Sequence, residues 1–201
     1  MKKFELTSEF ITNIFGTKLF RIKALIEFGN VKAGELGGFV EKEENLSQDG
    51  NAWVYDNARV YGDARVCGDA CVYDNARVYG DACVCGDACV YGDACVCGNA
   101  CVYGDARVYG DACVCGDARV CGDACVYGDA GYATVHGFGS EYRTTTFFKT
   151  KAGDIGVKCG CFYGNLSEFR KKVVETHGET KKAKEYLMLA DLMEFRFSDN
   201  S

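Results

Sequence analysis

Fourteen cysteines, twelve tyrosines and two histidines set the chemistry open to this 201-residue chain. Cys95, Cys97, Cys113 and Cys115 stand two and eighteen residues apart, and Cys67, Cys83, Cys85 and Cys101 form a second, looser group. Zinc takes four nitrogen or sulfur ligands in a tetrahedron. Residues two apart on a strand sit about 6.8 Å apart in a flat row, which fits a tetrahedron poorly. The two sets are therefore the best metal candidates in this region, and no metal is expected. Cys159 and Cys161, with His177, make a still smaller ligand set. His136, in TVHGFGS, is the only histidine placed to act as a general base near these residues. Tyr and Arg dominate the hot spots of protein interfaces. Here Tyr55, Tyr73, Tyr91, Tyr109 and Tyr127 recur every eighteen residues, among Arg59, Arg77, Arg107 and Arg119.

The element that positions all of these is a repeat. From Val54 to Gly131 the chain runs through thirteen hexapeptides without insertion: VYDNAR, VYGDAR, VCGDAC and so on. QDGNAW, ending at Trp53, is a degraded fourteenth. Each unit divides into a short strand, Ala-x-Val-x, and a two-residue turn, Gly-Asp or Asp-Asn. Side chains alternate across a strand, so Ala and Val share the inside while the variable Tyr, Cys and Arg face out. Gly and Asn tolerate the left-handed backbone that such corners use. The Asp-Asn turns at Asp56 and Asp74 lie eighteen residues apart, and every third unit ends in tyrosine. Three hexapeptides per coil therefore predict one outer face with a tyrosine ladder at about 4.8 Å spacing. Tyr and Cys codons differ by one nucleotide, as do Cys and Arg codons, so outward variation also follows the drift of duplicated units.

The Ala-x-Val hexapeptide resembles the repeat of left-handed parallel β-helices, the fold of the hexapeptide acyltransferases. The resemblance covers these 78 residues and implies a mainly β, triangular, left-handed solenoid of eighteen residues per coil. Those enzymes use a catalytic histidine and an acyl donor bound between the solenoids of a trimer. In this chain the role falls to His136 alone, since the repeat holds no histidine and no loop insertion. The arrangement as a whole also resembles uncharacterised phage and prophage proteins of gut bacteria. That likeness rests on KALIEFGNVKAGELGGFVEKEENLSQDGNAW before the repeat and TTFFKTKAGDIGVKCGCFYGNLSEFRKKVVETHG after it.

A coil touches only its neighbours, so both ends need covers. Residues 1–47 predict an N-terminal β cap with a turn at Phe15-Gly16-Thr17-Lys18, residues 48–135 the solenoid, and residues 136–201 a C-terminal ββαα unit. In the last, Asn165 with Glu168 is a helix-start signature and Gly178 a helix stop. A second helix is expected from Thr180.

The formal charge of −6 argues against direct nucleic-acid binding, which needs clustered Lys and Arg. The repeat alone carries five arginines against twelve aspartates, which lines the solenoid edges with carboxylate. No apolar run is long enough for a membrane span, and Glu5 and Glu9 interrupt the segment where a signal peptide has its apolar core. The sequence thus predicts a cytoplasmic protein, in the host cytoplasm if phage-encoded, with reduced thiols and no cofactor. It is expected to engage a protein partner through its Tyr/Arg faces or acidic edges, as an inhibitor or nucleic-acid-mimicking decoy. Acyl transfer and a homo-oligomeric scaffold, such as a trimer, are the alternatives.

Overall fold

The computed structural model describes residues 1–198, apart from Ser140, Tyr142 and the side chain of Asp129. From Trp53 to Tyr127 the chain is a parallel β-solenoid in which each hexapeptide supplies a strand of two or three residues. Strands eighteen residues apart stack in register, as Cys71–Val72 does on Cys89–Val90. Three sheets result. The tyrosine face stacks Trp53–Val54, Cys71–Val72, Cys89–Val90, Arg107–Tyr109 and Cys125–Tyr127. The first thiol face stacks Arg59–Val60, Arg77–Val78, Cys95–Val96 and Cys113–Val114. The second stacks Arg65–Val66, Cys83–Val84, Cys101–Val102 and Arg119–Val120.

The inside-outside assignment holds throughout: every repeat alanine and valine from Ala52 to Val126 is fully buried. Small and branched side chains are the ones a narrow axis can hold at the close packing of folded interiors. At the corners the glycines from Gly62 to Gly128 have φ between 65° and 75°. A Cβ on Gly80 would lie only 3.1 Å from the backbone nitrogen of Gly98 in the next coil, so the corner also demands the missing side chain. Asp56 and Asp74 adopt the same left-handed backbone, at φ 50° and 57°. The Asp74 carboxylate is anchored there by accepting the Gly92 N–H at 2.9 Å.

The backbone ladder has a direction. Each coil donates its amides to carbonyls of the next, Trp53 to Ala70, Cys71 to Ala88, Cys89 to Ala106. The first coil therefore has carbonyls to spare and the last has amides, and buried polar backbone must be satisfied. At the carbonyl end, Phe4–Thr12 pairs antiparallel with Lys18–Ala24, which pairs with Leu36–Val40. Leu36–Val40 then joins the first thiol face in parallel, against Arg59–Val60. The Phe39 and Glu41 amides bond to the Ala58 and Val60 carbonyls. Two buried polar side chains complete the cover. The Lys3 ammonium donates to the Gly50 and Ala52 carbonyls at 3.3 and 3.1 Å. The Asn45 amide donates to those of Gly62 and Ala64 at 3.0 and 2.8 Å. Trp53 occupies an outward repeat position yet is fully buried, because Phe4 and Phe28 pack edge-on against it at 6.2 and 5.4 Å.

At the amide end the cover offers acceptors. Thr146 Oγ1 accepts the Arg119 N–H at 3.0 Å. Tyr132 Oη accepts that of Cys115 at 3.3 Å while donating to the Cys113 carbonyl at 2.6 Å. The hairpin expected here forms between Thr145–Lys149 and Ile155–Cys159. It is flanked by Tyr132–Val135 on one side and Phe162–Asn165 on the other, giving a four-stranded antiparallel sheet. Helix α1 (Leu166–His177) starts at a capping box: Asn165 accepts the Glu168 N–H and Glu168 accepts that of Asn165. Gly178 closes it at φ 58°. Helix α2 (Lys181–Phe197) starts at Thr180, whose hydroxyl accepts the Ala183 N–H. Phe147, Val157, Leu166, Phe169, Tyr186 and Met193 belong to a core separate from that of the solenoid. Among the described residues, no helix is long and apolar enough to cross a membrane.

Candidate functional site

The tyrosine face gathers five of the residues singled out by spacing, with Arg107 beside them. Tyr55 and Tyr73 stack at 4.7 Å with rings 13° apart. Tyr91 and Tyr109 stack at 5.0 Å and 7°, and Tyr109 and Tyr127 lie 5.0 Å apart but tilted by 46°. The expected continuous ladder is divided: among the described residues no ring pair joins Tyr73 to Tyr91. The hydroxyls explain the break. Those of Tyr55 and Tyr73 both turn to the Cys71 thiol. The Tyr109 hydroxyl meets the Cys125 sulfur at 3.2 Å, and Tyr91 faces Arg107. The parted rings open a groove of about 370 Å3 lined by Asp56, Tyr73, Asp74, Cys89, Tyr91 and Arg107. It presents an aromatic wall on either side, one guanidinium and two carboxylates. Tyr55 resists ionisation, its pKa pushed up to about 12 by burial and then by the neighbouring Cys71. Burial raises Tyr73 and Tyr91 as well, so these three present neutral hydroxyls at ordinary pH.

The remaining arginines lie elsewhere. Arg59 and Arg77 sit side by side on the first thiol face, next to a second stacked pair, Tyr61 and Tyr79, at 5.0 Å and 5°. Arg119 belongs to the second thiol face, opposite Cys101. The spacing argument put these columns in view, but it did not foresee the groove, which depends on which way each ring turns.

The thiols approach more closely than a flat strand allows. The sulfurs of Cys95, Cys97 and Cys113 lie within 4.8 Å of one another, as do those of Cys67, Cys83 and Cys85. The expectation of a 6.8 Å row fails because the strands are only two residues long and bend into a corner just after the valine. The fourth members fall outside the two groups. The Cys115 sulfur lies 3.8 Å from Tyr132 Oη, and that of Cys101 donates to the Asn99 carbonyl at 3.7 Å. Burial, followed by neighbouring thiols, pushes Cys83 and Cys113 up to about 12.

His136 is exposed, with Nδ1 at 3.1 Å from the Thr144 hydroxyl. It lines none of the grooves described here. His177 instead stacks on Tyr186 at 5.8 Å and lines a cavity of about 260 Å3 with Cys159, Cys161, Arg143 and Lys172. The Cys159–Cys161–His177 set thus shares one wall, but is not among the groups whose ligand atoms converge within 4.8 Å. A wider groove, about 750 Å3, runs between Cys113, Cys115 and Tyr132 and the Leu192, Phe195 and Arg196 side of α2.

Ladder, corners and outer columns together define a β-solenoid repeat protein. The family model described as the YdcK β-solenoid repeat matches residues 52–68, 64–80, 70–86 and 100–116. One relative, the "Uncharacterized acetyltransferase YdcK" of Escherichia coli (strain K12), is 40% identical over 72 residues. The match takes in 32% of this chain and 22% of that protein, so the chain spans about a fifth of the relative's length.

Proposed function

We propose that this chain is a non-catalytic binding protein whose solenoid engages a protein partner through the tyrosine face. The observation that carries the reading is the groove between Tyr73 and Tyr91. Two stacked aromatic walls, Arg107 and the carboxylates of Asp56 and Asp74 converge there on an open surface. Aromatic rings and a guanidinium held on a rigid sheet lose little entropy on binding and are the side chains that anchor interfaces. Carboxylates along the edges add selectivity for a basic partner and speed its approach. The resemblance to phage and prophage proteins makes an inhibitor or decoy of a host or defence factor the natural role, exercised in the host cytoplasm. Affinity capture from host lysate at moderate salt, with the retained protein identified, tests this. Tyr91→Ala, Tyr109→Ala and Arg107→Ala should each lose that partner by tenfold or more. Capture untouched by all three sinks the reading.

A second reading, acyl transfer, draws its support from the name carried by the Escherichia coli relative. It would use His136 as base. The match takes in 22% of that protein, so most of the relative lies outside the comparison. Thermal shift with a panel of acyl-CoA compounds separates the two readings. A shift, with turnover lost on His136→Ala, favours the enzyme, and no shift favours the binder.

A further inference from the structure

We propose that the two three-thiol clusters are binding sites for a soft monovalent metal ion of the copper(I) type, one on each thiol face. The first site is Cys95, Cys97 and Cys113, and the second is Cys67, Cys83 and Cys85, each with all sulfurs within 4.8 Å. A metal bound to three sulfurs at ~2.3 Å in a plane spaces those sulfurs ~4 Å apart, so closure asks for shifts of under ~1 Å. Thiolate sets of this kind select copper(I), whereas structural zinc takes four ligands. The fourth cysteine near each cluster is turned to another partner, Cys115 to Tyr132 and Cys101 to the Asn99 carbonyl. Three sulfurs converge at each site, the number a trigonal ion takes.

The surroundings suit the charge that forms. Each ion enters as copper(I) and leaves as copper(I), forming three metal–sulfur bonds while three thiol protons pass to solvent. The site becomes anionic by two charges. Arg77 lies directly across the ladder from Cys95, and Arg65 directly across from Cys83. The Tyr79 hydroxyl lies beside Cys95 and Cys97 and can donate its one proton to either thiolate. Hydrogen bonds and charges of this kind orient and hold metal ligands. Access is open: Cys113 lines the groove beside α2, and Cys67 and Cys83 line one of about 680 Å3 bounded by Glu43, Glu44 and Gln48. These faces are distinct from the tyrosine face, so the sites stand whether or not that face binds a partner.

The test uses the full reduced chain without oxygen, titrated with copper(I) as its acetonitrile complex against a copper(I) chelator, bathocuproine disulfonate. Two ions per chain should be retained, each with three sulfur neighbours by X-ray absorption. Cys97→Ser and Cys85→Ser should each reduce the count to one, and the pair together to none, with the fold confirmed by circular dichroism. Cys97→Ala and Cys85→Ala repeat the test without a hydroxyl. Cys115→Ser, Cys101→Ser and Cys71→Ser should leave the count at two, and added zinc(II) should not lower it. The proposal is overturned if no ion resists the chelator, if the count follows total cysteine, if the control variants lower it, if two or four sulfurs surround the metal, or if zinc(II) displaces copper(I).

Discussion

The two ends of the solenoid expose opposite halves of one backbone ladder, and the chain closes them with opposite chemistry. At the start, spare carbonyls meet donors: the Lys3 ammonium, the Asn45 amide and the amides of Phe39 and Glu41. At the finish, spare amides meet acceptors: the hydroxyls of Thr146 and Tyr132. The start is also sealed by a buried aromatic cluster around Trp53, whereas the finish shares its cover with a sheet-and-helix unit that has its own core. A repeat that satisfies itself in the middle leaves a directional deficit at each end, and the sign of the deficit dictates the side chains that can close it. Lysine, which has no acceptor, would serve poorly at the amide end, and a threonine hydroxyl would satisfy only one carbonyl at the other.

The largest effect should come from Trp53→Ala, which opens a cavity beneath Phe4 and Phe28. A loss of about 3–5 kcal/mol is expected in denaturant unfolding. Trp53→Phe should cost far less, because the indole Nε1 is buried without a hydrogen-bond partner and its removal leaves nothing unsatisfied. If the two variants cost the same, the start is not sealed by packing. Next come Lys3→Met and Asn45→Leu, which strand two carbonyls each. About 1–3 kcal/mol is expected for either, measured the same way. Smaller still is the matching pair at the finish. Thr146→Val orphans a single amide, and Tyr132→Phe orphans one amide and releases the Cys113 carbonyl, and about 1–2 kcal/mol apiece is expected. Equal losses at both ends would break the comparison.

The smallest effect is pH-dependent and has opposite signs in two regions. Burial lowers Lys3 from its usual 10.5 to about 8. Between those values the unfolded chain holds the proton and the folded chain does not, so this contribution raises stability as pH climbs. Cys83 and Cys113 are raised from 9.0 to about 12. Their contribution is complete below pH 9 and is lost as pH rises toward 12. The melting temperature should therefore rise slightly from pH 8 to 9 and fall beyond it. Lys3→Met should remove the rise, and the Cys83→Ala/Cys113→Ala pair should flatten the fall. A melting profile that neither change alters would show that these groups are not linked to folding.

The solenoid, its eighteen-residue coil and its valine-alanine interior were all readable from the hexapeptides, because strand alternation and corner chemistry act within six residues and then repeat. The helix starts at Asn165 and Thr180 were readable for the same local reason. Three features were not. Trp53 reads as an outward repeat residue, and only the return of Phe4 and Phe28 over it makes it core. The ladder reads as continuous, but the Tyr55 and Tyr73 hydroxyls turn to Cys71 and that of Tyr109 to Cys125, and the two stacks part. The thiols read as a flat row, and only the bend after each valine brings them together.

Local periodicity thus settled which side chains face in, which face out and how far apart the coils lie. Contacts between residues distant in the chain settled which outward side chains end up buried, which rings part to form a groove and which sulfurs meet. Those outcomes depend on rotamers and on chain segments folding back over the repeat, as Phe4 and Phe28 do onto Trp53, and no six-residue pattern encodes either.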